Sequence, residues 1–141
     1  MGDLFPNEPF PERLDPTSRW EIAFYEDILR RHSDFVEVLM LLGTLYTTNR
    51  MYDKGLAVDK RLSQLRADDP IVHYNLACSY ALLGRSDEAF DALFEAVELG
   101  YRDEEHLESD ADLDSLRSDL RYDELIGKMR RLGSPFRPGR Q

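Results

Sequence analysis

The sequence predicts an all-α fold, a stack of helical hairpins closed by a C-terminal helical cap. Three observations carry that expectation. Residues 36–69 lie on residues 70–103 at an offset of 34 with no gap. Apolar residues recur three and four positions apart, the period of a helix with one buried face. Six of the seven prolines fall at the two ends of the chain, and between residues 17 and 132 only Pro70 remains. A chain of 141 residues buries about two-thirds of the surface it exposes when unfolded, which is enough for a real core without disulfides or metal.

Pro6, Pro9, Pro11 and Pro16 open the chain. Each lacks an amide donor and biases its predecessor away from helix, so residues 1–18 read as an extended arm. Thr17 and Ser18 read as N-caps of a first amphipathic helix. In it Trp20, Ile22, Phe24, Tyr25, Ile28 and Leu29 repeat at helical spacing, and Arg30 and Arg31 sit in the last turn. This helix is expected to be the second half of a truncated unit over residues 19–35, with Trp20 and Phe24 packed inward on the first hairpin.

Two full units follow, residues 36–69 and 70–103. Leu42 falls on Leu76, Gly43 on Ala77, Tyr46 on Tyr80, Asp53 on Asp87, Leu56 on Phe90, Leu62 on Ala96 and Leu65 on Leu99. In each unit a small residue lets a neighbouring helix approach while Leu and Tyr fill the groove beside it. Turns are expected at Asn49-Arg50 and Gly84-Arg85. A second small residue, Gly55 or Ala89, lies at the closest crossing. One hairpin of this design cannot bury its apolar faces alone, so neighbours must stack.

Leu39-x-x-Leu42-Gly43-x-x-Tyr46, and His73-x-x-Leu76-Ala77-x-x-Tyr80 with Ala89-x-x-x-Leu93 and Ala96, resemble the tetratricopeptide repeat family. The resemblance covers residues 36–99 and implies a right-handed α-α superhelix. Gly55, where the family has alanine, and Asp59, where it has a large apolar residue, predict a less tightly packed second helix. The family pattern stops after Gly100. Residues 104–132 resemble a segment that closes such arrays, with Leu107, Leu113, Leu116, Leu120, Tyr122, Leu125 and Ile126 covering the open apolar edge. The stacked helices thus occupy residues 19–132, and residues 133–141 form a basic irregular tail.

The resemblance also implies where a partner binds, because the first helices of such repeats line a concave groove. The stripe facing it falls on Glu37, Met40, Thr44 and Thr47 in one unit and on Ile71, Tyr74, Cys78 and Ala81 in the next, with Asn75 alongside. The mixture of apolar, hydroxyl and amide groups suits a peptide, and Tyr74 is the expected anchor. Recognition of an acidic chaperone tail is disfavoured. That subclass places a basic residue at Met40 and asparagines at Thr44 and Asn75, and only the last is present.

Charge narrows the partner. The formal net charge is −10, opposite in sign to what a phosphate-binding face needs, so nucleic acid is not expected. Residues 87–124 hold fifteen acids and three bases, and residues 125–141 hold five bases and no acid. A partner with basic character is therefore expected, unless the basic tail folds back on the acidic face. No apolar run approaches a membrane span and no signal peptide is legible, so a cytoplasmic protein is expected.

Catalytic and metal chemistry find little support. Asp110-x-Asp112-x-Asp114 opens like a calcium loop, but Ser115 and Arg121 replace its glycine and its bidentate glutamate. His32, His73 and His106 lack a nearby second ligand in sequence, and Cys78 has no ordered base beside it. The expectation is a non-enzymatic protein-binding adaptor or assembly factor with no cofactor and no metal. The alternative is a homodimer built through the helix at residues 19–31.

Overall fold

The computed structural model describes residues 4–5 and 8–133, and among these every regular element is helical. The elements are α1 (Pro16–Arg31), α2 (Val36–Thr48), α3 (Tyr52–Leu65), α4 (Pro70–Leu82), α5 (Ser86–Glu98), α6 (Glu104–Ser109), a 3₁₀ segment (Ala111–Leu116) and α7 (Leu120–Leu132). The predicted hairpins are α2–α3 and α4–α5. Helices α2 and α4 begin and end 34 residues apart. The chain forms two compact units, Met1–Leu65 and Arg66–Gln141. No helix among the described residues is long and apolar enough to cross a membrane.

In the first unit α2 packs against both α1 and α3. The cap of α1 is Asp15, not Thr17 or Ser18: its carboxylate accepts from the Ser18 amide at 2.9 Å and the Ser18 hydroxyl at 2.8 Å. Pro16 explains the shift, since its fixed φ suits the first helical position, where a missing amide costs nothing. The preceding arm is tied down. Phe5 and Leu14 are buried, Arg30 Nε donates to the Phe5 carbonyl at 3.1 Å, and Arg13 Nη1 donates to the Asn49 carbonyl at 2.6 Å.

Helices α2 and α3 approach closely where both lack a side chain. A Cβ at Gly55 would sit 3.2 Å from Thr47 Oγ1, and one at Gly43 would sit 3.4 Å from Val58 Cγ1. Gly55 therefore tightens this crossing rather than loosening it, contrary to the sequence expectation. Behind the crossing lies a buried carboxylate, Glu26. It accepts from the Tyr46 hydroxyl and lies 3.6 Å from Lys54 Nζ and 3.7 Å from Arg30 Nη2. Burial, followed by this hydrogen bond, pushes the Tyr46 phenol well above its ordinary range.

The inward packing expected for Trp20 and Phe24 is not found. Trp20 is 66% exposed and Phe24 48% exposed, with their rings stacked on each other at 5.3 Å. Ile22, Glu26 and Leu29 face the core instead, because the helical period sets the Trp20–Phe24 row about half a turn away from them.

In the second unit α4 packs on α5, α7 lies on α5, and the 3₁₀ segment lies on α4. Ala77, Ala89, Phe90, Leu93, Ala96 and Val97 form the core of the hairpin. Leu107, Leu113, Leu116, Tyr122, Leu125 and Ile126 are buried as the cap reading requires. Leu120 is not: it opens α7 at 86% exposure, and Met129 takes a buried place on that helix. Arg102 locks the junction, donating to the carbonyls of Val97 and Tyr101 at 2.7 Å each and to that of Gly133.

The two hairpin turns use one conformation. Gly84 has φ +75°, and Arg50, 34 residues earlier, has φ +60°, the left-handed region that disfavours a Cβ. A Cβ added at Gly84 would touch nothing within 4 Å. Gly84→Ala should therefore cost about 1 kcal/mol from backbone conformation alone. Ala77→Leu, at a fully buried position, should cost about 1–3 kcal/mol by overpacking. Denaturant melts followed by circular dichroism measure both, and an unchanged Ala77→Leu midpoint would remove the assigned register.

Candidate functional site

The site is built on α4. Asp69 caps the helix, accepting from the Ile71 amide at 2.9 Å, and Pro70 takes the first turn. Helical spacing then brings Ile71, Tyr74, Asn75 and Cys78 to neighbouring positions along one side. Residues 100–116 return over this side. Tyr101 stacks on Tyr74 at 4.6 Å with the rings 10° from parallel, and His106 lies 5.4 Å from the same tyrosine ring.

Asp110 is the junction. Its Oδ1 accepts from the Asp112 amide at 3.0 Å, capping the 3₁₀ segment, while Oδ2 accepts from the Tyr74 hydroxyl at 2.6 Å. Cys78 Sγ is 3.7 Å from Oδ2, and His106 Nε2 is 3.6 Å from it. Ser115 Oγ reaches the Ala81 carbonyl at 3.5 Å. Arg117 Nη2 gathers the carbonyls of Leu107, Glu108 and Asp110 between 2.6 and 2.9 Å. Burial first, then Asp110, pushes the Tyr74 hydroxyl and the Cys78 thiol far above their ordinary ranges. Asp112 is pushed up by burial and then by the charges of Asp110 and Asp114.

These contacts correct part of the predicted stripe. Tyr74, Cys78 and Ala81 are buried, because the chain's own 3₁₀ segment covers that length of α4. Ile71 and Asn75 remain exposed at its N-terminal end. There Pro70, Ile71, Tyr74, Asn75, Gly100, Tyr101, Arg102, Asp103 and His106 line an open cavity of about 280 Å³. In the first unit Glu37, Met40 and Thr44 are exposed on α2 and Thr47 is half-buried. The Thr44 and Thr47 hydroxyls donate to the Met40 and Gly43 carbonyls of their own helix, at 3.2 and 3.0 Å.

Tyr101, Asp103 and His106, which the sequence reading left out of the site, belong to the second-unit cavity. Nothing in local spacing places them beside Tyr74, since they arrive through the turn after α5. The basic end of the chain bears on the charge map as well. Lys128 pairs with Glu98 and Arg130 with Glu104, while Arg121 pairs with Asp87 at 2.8 Å. Asp103, Glu105 and Glu108 have no Lys or Arg nitrogen within 4.0 Å among the described residues. Arg137 and Arg140 lie outside the described residues.

No family model matches the chain. Over 90 residues, 60% of its length, the chain is 30% identical to a chloroplastic protein of Arabidopsis thaliana. Over 63 residues, 45% of its length, it is 40% identical to the peroxisomal targeting signal receptor of Candida albicans. The chain spans 26% of the first protein and 11% of the second. These partial likenesses accord with helical repeats.

Tyr74→Phe removes the donor to Asp110 and should destabilise the second unit by about 1.5–3 kcal/mol, the range for a hydrogen bond to a charged group. Tyr74→Ala should cost more, since it also removes the ring that Tyr101 stacks on. Chemical denaturation reads both, and a Tyr74→Phe midpoint equal to that of the unsubstituted chain would show that the Tyr74–Asp110 contact carries no weight.

Proposed function

We propose that the chain is a non-catalytic protein-binding module, an adaptor or assembly factor, that holds a peptide or protein segment on the first helices of its repeats. The open cavity of the second unit is the observation that carries this reading. Its floor is the stacked Tyr74–Tyr101 pair, its wall is Ile71, and Asn75, Asp103 and His106 supply polar groups at the rim. An apolar floor with a few convergent polar groups is what a single anchoring side chain and its adjoining peptide group require. Tyr74 serves from beneath, through its ring, and Ile71 and Asn75 meet the partner directly. Asp103 and Glu105 have no Lys or Arg nitrogen within 4.0 Å among the described residues. Arg102 shares the lining, but its guanidinium is held by the carbonyls of Val97, Tyr101 and Gly133. The two acids therefore favour a segment that carries a cation next to its apolar anchor.

Two further points support the reading. Cys78 is buried with its thiol pushed up, the reverse of an activated nucleophile. One partial relative is by name a receptor for a targeting signal. With a partner captured from the source cell and purified, Ile71→Ala and Asn75→Ala together should weaken binding about tenfold or more, with melting unchanged. Glu105→Lys should chiefly slow association and flatten its salt dependence. Undiminished affinity in the folded double variant would move the binding face elsewhere.

A second reading rests on the exposed, stacked Trp20–Phe24 pair, which a second copy of the chain would cover. Sedimentation over a hundredfold range of concentration separates the two. A dimer that Trp20→Ser dissociates supports self-association, and a concentration-independent monomer excludes it.

A further inference from the structure

The fold brings a cysteine beside two aspartates that lie more than thirty residues further along the chain. One atom each of Cys78, Asp110 and Asp112 lies within 4.8 Å of the others, although Cys78 stands on α4 and the two aspartates stand at the start of the 3₁₀ segment. Two features of the surroundings favour a bound cation. The Tyr101 hydroxyl is buried without a hydrogen-bond partner among the described residues. It belongs to the ring stacked on Tyr74, whose own hydroxyl reaches Asp110. Further, neither Asp110 nor Asp112 has a Lys or Arg nitrogen within 4.0 Å among the described residues. The charged partner of Asp110 is His106, when protonated, and the nearby Arg117 guanidinium pairs with Asp114 instead. Two carboxylates in a partly closed pocket, with a hydroxyl left without a partner close by and no Lys or Arg paired to either carboxylate among the described residues, are stabilised by a cation that joins them.

We propose that Cys78, Asp110 and Asp112 form a binding site for a divalent ion of the zinc class. A thiolate beside carboxylates selects a borderline-soft ion, whereas calcium and magnesium take oxygen ligands alone. Sulfur and oxygen ligands around zinc stand roughly 3.5 Å apart, given bond lengths of about 2.3 and 2.0–2.2 Å, so from separations within 4.8 Å the three atoms draw in by at most about 1.3 Å. The thiol proton leaves to solvent as the sulfur–metal bond forms. Asp110 keeps its Tyr74 hydrogen bond, since a carboxylate has lone pairs for both, and the Tyr101 hydroxyl gains an acceptor in the bound thiolate or carboxylate. His106, 3.6 Å from Asp110, stands where it can complete the coordination in competition with water. The site differs from the calcium-like spacing of the sequence, for Asp114 is turned outward to Arg117 and Cys78 takes its place.

The test is a titration of the full chain, freed of metal by chelator and kept reduced, with cobalt(II) and then zinc(II) alone. The expected result is one equivalent of cobalt with a sulfur-to-metal charge-transfer band, displaced by one equivalent of zinc, and a melting temperature raised by zinc. Cys78→Ser should lose the band. Asp112→Asn should weaken zinc at least tenfold and lose most of the zinc-dependent melting shift. Ions held only by His32, His73 or chain ends give no sulfur band. Absence of the band from the unsubstituted chain at millimolar cobalt overturns the proposal, as does zinc affinity unchanged by Asp112→Asn. If Cys78→Ser fails to fold, the unsubstituted spectrum and Asp112→Asn still decide the matter.

Discussion

The second unit depends on one carboxylate. Asp110 ends α6, caps the 3₁₀ segment and accepts from Tyr74 on α4, so a single side chain joins the end of the helical hairpin to the element that covers it. An array of hairpins leaves an apolar edge wherever it stops, and something must lie over that edge. Here the cover is short: six residues of α6 and six of 3₁₀. Segments of that length have little helical stability of their own. They hold because Leu107, Leu113 and Leu116 are fully buried and because Asp110 and Arg117 satisfy the polar groups that so short a segment leaves open.

Closure has a functional side. By lying on the middle and end of α4, the 3₁₀ segment takes Cys78 and Ala81 out of the surface and leaves the first turn open, where Ile71 and Asn75 stand. The exposed stripe of α4 is therefore about a single turn long. On the proposed function, a pocket of this size would take one side chain, not a long helix.

The hairpins were legible from the sequence because they rest on side-chain size at fixed spacing. Gly43 and Ala77, Tyr46 and Tyr80, and the turn positions Arg50 and Gly84 all recur at 34 residues; α2 and α4 follow to the residue, and α3 and α5 differ by one residue at their C-terminal ends. The cap leucines lie beyond that recurrence and were legible from the resemblance of residues 104–132 to a segment that closes such arrays, apart from Leu120, which opens α7 exposed. The site was harder to read. Helical spacing placed Ile71, Tyr74, Asn75, Cys78 and Ala81 together on α4, but it carries no information about what returns to cover them. Tyr101 and Asp110 lie 27 and 36 residues beyond Tyr74, and only the tertiary path brings them to it. Glu26 was hidden likewise: an acid in an amphipathic helix reads as solvated, and beside Arg30 one turn along α1 its other partners, the Tyr46 hydroxyl and Lys54, arrive from α2 and α3.

Cys78 is the single sulfhydryl of the chain, and it lies under the 3₁₀ segment rather than in the hairpin core. A thiol reagent reaches it only when that cover lifts. The native protein thus carries its own clock for local opening. If labelling is much faster than global unfolding, the cover breathes as an independent cooperative piece; if the two rates agree, hairpin and cover melt together.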